Sequence, residues 1–211
     1  MLQSPPLSKK KPRKRLHKSN LWLLSLLVLG LTVGLANPLN SSKYQPTLQA
    51  QTIPVRASWQ QASFPVENFQ AYTSGFGYRI HPITGQRQMH QGLDLAAPLG
   101  SYVRSWWGGQ IVHLSDHTGC GTMIQIQSGK WTHVYCHLMG SVENTSQGVV
   151  LIDRAGGIIL REGQNVPSGA RIARVGMTGR TTGPHLHWEL RYNGNHIDPA
   201  DVLRQMFAQR T

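Results

Sequence analysis

No acidic side chain occurs in residues 1–20, and no charge of either sign occurs in residues 21–36. The full chain of 211 residues has 21 Lys and Arg against 9 Asp and Glu. Seven of the basic residues fall in the first 20, in SKKKPRKRLHKSN, and removing them leaves 14 against 9, a difference of +5 for residues 21–211. A basic run by itself fits a nucleic-acid arm, but the adjoining apolar run, LWLLSLLVLGLTVGLA, excludes that partner. A basic flank, an apolar run and the small residues Gly34 and Ala36 have the layout of a signal peptide cleaved after Ala36. Retained, the run is a membrane anchor near the lower length limit of about 17 residues. A buried core helix would carry a polar face, and this stretch has none. Residues 1–20 are therefore expected to be a basic cytoplasmic segment and residues 21–36 a signal peptide or membrane anchor. The remainder is expected to be exported to the cell envelope, periplasmic or extracellular. The flank lacks the Arg-Arg pair of the twin-arginine route, and no cysteine adjoins the run to take a lipid.

Cysteine is scarce too, with Cys120 and Cys136 the two present. Export to an oxidising compartment permits a disulfide. Cys120 begins the strand-like GCGTMIQIQ and Cys136 ends WTHVYC, with a turn near Ser128 and Gly129 between them. Counting back from that turn sets the two nearly opposite, so a cross-strand disulfide stands beside the alternative of two small buried thiols.

Helical periodicity is absent before residue 198, and there is no internal repeat. Residues 37–58, rich in Gln, Ser, Thr and Pro, read as a flexible linker. From Trp59 onward the chain breaks into strand-length runs, among them QIVHLS, TMIQIQ, WTHVYCHL, GVVLID, GIILRE, ARIARVG and HLHWELRYN, separated by turn signals. Asn193-Gly194 is the sharpest of the hairpin signals. DPADVLRQMFAQ reads as one short helix capped by Asp198, with Pro199 in its first turn. The fold class expected for residues 59–211 is all-β and mostly antiparallel, with a short C-terminal helix.

Against these absences stand ten histidines. His90 and Asp94 in MHQGLD are four apart, an offset that keeps both on one face, and Gly92 between them lets backbone approach closely. His185 and His187 in GPHLHWEL share a strand face, and His137 ends the YCH run. Two imidazoles and a carboxylate are an ordinary ligand set for a catalytic zinc with a fourth position left to water.

HQGLD, YCHL and GPHLHWE resemble the H-x-x-x-D, Y-x-H-L and H-x-H elements of the LytM or lysostaphin-like (M23) zinc metallopeptidases, which cut peptides in bacterial cell walls. TSGFGYRIHPITG and LAAPLGSYVRS resemble the segments flanking the first of these. The likeness extends over roughly residues 62–200. It implies a groove of antiparallel sheets, one Zn2+ per chain held by His90, Asp94 and His187, and His137 and His185 as catalytic residues. It further implies a zinc endopeptidase acting on the peptide cross-links of peptidoglycan. Physical reasoning agrees with that division, because four protein ligands would close a tetrahedral zinc to water. Freed, His185 sits beside the bound water as a proton acceptor, and His137 is suited to steady an oxyanion; either could be the general base.

Two other classes compete: a LytM-type module without catalysis that activates another wall hydrolase, and a non-haem iron oxygenase, which also uses two His and a carboxylate. Retention of all five residues speaks against the first, and the H-x-H pair and export signal against the second. Glu189 shares the face of His187 and is expected to orient it. His81 is expected at the cleft rim, His113, His117, His133 and His196 as surface or structural residues, and Trp106, Trp107, Trp131 and Trp188 in the core or wall. The stretch 141–160 is longer than a tight link; it reads as an added hairpin turning at Asp153 to Gly157 that shapes the groove.

Overall fold

A computed structural model of the protein describes residues 59–209; the expectations for residues 1–58 lie outside the described residues. Among the described residues, no helix is long and apolar enough to cross a membrane. In chain order the strands are β1 (Ala71–Ser74), β2 (Gly77–Ile80), β3 (Arg87–His90), β4 (Leu93–Ala96), β5 (Tyr102–Arg104), β6 (Gly109–Ser115), β7 (Met123–Ser128) and β8 (Trp131–Cys136). Then come β9 (Ser141–Thr145), β10 (Gly148–Asp153), β11 (Ile158–Arg161), β12 (Asn165–Val166), β13 (Arg171–Arg174), β14 (His185–Tyr192) and β15 (Asn195–Ile197), followed by the helix α1 (Pro199–Ala208).

The main sheet runs β1-β4-β14-β8-β7-β6-β12, with β15 paired to β14, and each of its pairings is antiparallel. Period-2 alternation sets its faces. Along β14, Leu186, Trp188 and Leu190 are buried while His185, His187 and Glu189 on the other face are partly open. The core includes a tryptophan cluster, with Trp106 5.3 Å from Trp59, 5.4 Å from Trp131 and 5.9 Å from Trp188 between ring centroids. The four tryptophans read as core or wall residues belong to this core or pack against it. Asn193 and Gly194 close the β14–β15 hairpin with φ of 48° and 80°, the left-handed pair that a two-residue turn requires. Asp198 caps α1 by accepting from the Ala200 N–H at 2.8 Å.

Three expectations need correction. Cys120 and Cys136 do form a disulfide, with Cα atoms 5.0 Å apart, but not a cross-strand one. The register pairs Ile124 with Tyr135, and Cys120 precedes β7 in a turn where the Gly121 N–H donates to Thr118 O at 2.9 Å. The run WTHVYCHL does not stay extended, because His137 adopts a left-handed φ of 61° and ends β8 at Cys136. Finally, residues 141–161 build a separate three-stranded sheet, β11-β10-β9. Its turn falls after Asp153 as expected, but no residue of 141–160 lines the pocket that holds His90, Asp94 and His187.

Candidate metal and catalytic site

The antiparallel register of β4 and β14 sets His187 directly opposite Asp94. His187 Nδ1 lies 2.8 Å from Asp94 Oδ1. His90, at the end of β3, brings Nε2 to 3.1 Å from the same carboxylate oxygen and 3.0 Å from His187 Nδ1. The crossing is tight at Gly92, where an added Cβ would meet His187 Cε1 and the Trp188 carbonyl oxygen at 2.7 Å each. Glycine is required there by proximity.

Hydrogen bonds on the outer sides of the rings decide which nitrogens face inward. A carbonyl oxygen only accepts, so His90 Nδ1–H donates to Gly75 O at 2.6 Å and its Nε2 is left as a lone pair when the ring is neutral. His187 Nε2–H donates to Glu189 Oε1 at 3.3 Å, leaving Nδ1 bare in the same way. Three acceptors thus converge within hydrogen-bonding distance, an arrangement that demands a cation between them. The set of two imidazole nitrogens and one carboxylate oxygen fits a divalent metal such as zinc.

In the absence of metal a proton takes that role. Burial pushes the His187 imidazole down, but hydrogen bonds to Asp94 and Glu189 raise it to about 9. Burial pushes Asp94 up, and hydrogen bonds from His187 and His90 outweigh it, holding the carboxyl well below the usual range. Glu189 follows the same logic and is held at about 2, against burial, by His187 and then Arg191.

His137 and His185 flank this cluster with ring centroids 4.9 Å apart. The left-handed turn seats His137, whose backbone N–H donates to Cys120 O at 2.8 Å, so the disulfide turn and the histidine are joined. Its Nδ1–H donates to Thr178 O at 2.9 Å. Burial pushes this imidazole down to about 4, partly offset by the Thr178 bond and reinforced by the neighbouring His185. His185 Nδ1–H donates to Gly183 O at 2.9 Å, with Thr181 Oγ1 at 3.2 Å, and its Nε2 lies 3.7 Å from Asp94 Oδ1. Both rings are held as Nδ1–H tautomers, so each Nε2 takes a proton in the neutral state and donates one only after receiving it.

All five residues singled out in the sequence, His90, Asp94, His137, His185 and His187, line one pocket, with Glu189 and the rim residue His81. Of the other histidines, His133 is buried between Ser128 Oγ and Tyr135 OH at 2.8 and 2.7 Å, which makes it structural. His113 and His117 are exposed. His196 does more than its sequence context suggests: its Nε2 accepts from Arg191 Nε–H at 3.0 Å, and Arg191 Nη2 donates to Glu189 Oε2 at 2.8 Å. Arg191, two residues beyond Glu189, was open to the same β14 alternation, whereas its meeting with His196 follows from the hairpin register observed in the structure. Arg79, whose Nη2 is 3.5 Å from Asp94 Oδ2, had no such signal beyond its place in the GFGYRIHP segment.

The model of peptidase family M23 matches residues 88–199. A DD-carboxypeptidase/endopeptidase Mpg of Neisseria meningitidis is 35% identical over 150 residues, 70% of this chain and 31% of the relative. The chain thus spans under a third of the length of the first curated relatives it matches. A zinc-containing peptidase from Vibrio cholerae superposes with a TM-score of 0.53 at 31% identity, over 67% of this chain and 39% of that one. The catalytic domain of lysostaphin from Staphylococcus simulans gives 0.51 at 25% identity, over 65% of this chain and 93% of that domain.

Proposed function

The chain belongs to peptidase family M23, and on that premise we propose that it is a zinc-dependent endopeptidase that hydrolyses peptide cross-links of bacterial peptidoglycan. The observation that carries the reading is the convergence of His90 Nε2, His187 Nδ1 and Asp94 Oδ1, three groups whose lone pairs face one point when both rings are neutral. In this reading those three residues hold one Zn2+, which when bound supplies a Lewis acid and lowers the pKa of a coordinated water to about 7. Glu189, held by Arg191, which in turn donates from Nε–H to His196 Nε2 at 3.0 Å, keeps the His187 ring turned toward His90 and Asp94.

The remaining chemistry falls to His137 and His185. The Nε2 of one takes the proton of the attacking water, and the imidazolium so formed donates it to the leaving amine. The two rings share that task as one unit, because a charge on His185 disfavours a charge on His137. Once charged, either ring also stabilises oxygen charge that develops on the scissile carbonyl. The name of the Neisseria relative, a DD-carboxypeptidase/endopeptidase, supports the wall substrate. Such a substrate requires export, with residues 21–36 as signal peptide or membrane anchor and peptidoglycan peptide as the partner. The test is digestion of purified sacculi by the full chain, followed by chelation and zinc restoration. Release of peptides that stops on chelation and resumes with zinc is the expected result, and digestion indifferent to chelator overturns it.

A further inference from the structure

The acidic groups of the pocket are already engaged. Asp94 faces His90, His187 and, at 3.5 Å, Arg79, while Glu189 pairs with His187 and Arg191. Arg180 is different: it lines the same pocket and is exposed, and no carboxylate among the described residues lies within ion-pairing distance of it. Arg171, Arg174 and Arg191, by contrast, all have carboxylate partners.

Arg180 is nevertheless a placed side chain. Its backbone N–H donates to Gly119 O at 2.8 Å, and its guanidinium lies across Gly119, where an added Cβ would come within 2.7 Å of both Nε and Nη2. A Cβ at 119 would displace this guanidinium, the free end of an exposed side chain, while the backbone there is not left-handed. The bed is itself fixed, by the Cys120–Cys136 disulfide and by the Thr122 N–H donating to Thr178 Oγ1 at 2.9 Å. Arg79 adds a second guanidinium from β2 to the lining of the pocket, and its Nε is buried without an acceptor. A guanidinium fork with open donors matches a carboxylate bidentately, and the pocket has no uncommitted acid to compete.

We propose that Arg180, assisted by Arg79, reads a free carboxylate on the substrate beside the scissile bond, so that the site selects carboxylate-bearing cross-links over neutral bridges such as oligoglycine. The proposal rests on the peptidase reading for its substrate, and equilibrium binding separates the two. The probes are two fluorescent cross-linked stem-peptide dimers, identical except that one carries a free carboxylate on its diamino acid and the other the carboxamide. Their Kd values are measured on the full chain bearing His185→Ala to prevent turnover, with and without Arg180→Gln. The acid dimer is expected to bind roughly tenfold more tightly than the amide, with Arg180→Gln closing that gap and Arg180→Lys keeping part of it. Gly119→Ala, which leaves Arg180 in the sequence but displaces it, is expected to close the gap as well. Equal Kd values for the two dimers, or a gap unchanged by Arg180→Gln, overturns the proposal. Cleavage of the acid dimer by the unsubstituted chain is scored separately, so that a persistent gap without cleavage contradicts the peptidase and leaves the recognition intact.

Discussion

His187 Nδ1 lies 2.8 Å from Asp94 Oδ1 across the β4–β14 ladder, a contact fixed by strand register. One proposed ligand therefore sits on each strand, and the pairing of the two strands is what brings them together.

The proton that occupies this cluster without metal makes zinc affinity depend on pH. His187 holds a proton below about 9, and zinc must displace it. The sign is that binding strengthens as pH rises, by about tenfold per unit while one proton is displaced, and levels off above about 9. Titration with a competing chelator at several pH values checks this. The metal-free fold behaves oppositely: the raised pKa of His187 contributes stability that is complete below about 6.5 and is lost as pH rises through about 9.

Removing Glu189 is expected to loosen the metal without unfolding the sheet. Glu189→Ala leaves His187 Nε2–H without its acceptor and strips Arg191 of its carboxylate partner. A loss of roughly 10- to 100-fold in zinc affinity is expected, measurable by the same competition.

Gly92→Ala places a Cβ 2.7 Å from the Trp188 carbonyl oxygen, a backbone atom that cannot swing aside. A loss of about 1–3 kcal/mol in stability is expected from such overpacking, together with weaker zinc binding, since His187 Cε1 is equally close. Denaturant unfolding of the zinc-free variant reads the first effect separately.

The Cys120–Cys136 disulfide closes a loop of sequence separation 16, for which the chain-entropy model gives about 3 kcal/mol. Cys120→Ala with Cys136→Ala is expected to lose about that much, read by denaturant unfolding. It is also expected to reduce turnover more than zinc content, because the turn it anchors receives the His137 backbone N–H.

Strand periodicity, the Asn193-Gly194 turn and the capped C-terminal helix were legible because each is a local signal. The groups that belong together in the site were legible as residue types at same-face spacings, and the family resemblance divided their roles. What escaped the sequence depends on long-range placement. Cys120 pairs with Cys136 from a turn, because the β7–β8 register sets Ile124 against Tyr135 and leaves Cys120 ahead of β7, where counting back from the turn had placed it in the strand. The β9–β11 sheet keeps clear of the pocket, since where a sheet folds back is settled by tertiary packing. Arg79 and Arg180 come from segments about a hundred residues apart, a separation over which no local pattern connects them.

The most direct test of the account is zinc content and sacculus digestion measured side by side for the unsubstituted chain, His187→Ala and His185→Ala. The unsubstituted chain is predicted to hold one zinc and digest sacculi, His187→Ala to lose both properties, and His185→Ala to keep the zinc and lose digestion. Stoichiometric zinc in His187→Ala, or undiminished digestion by His185→Ala, would contradict it.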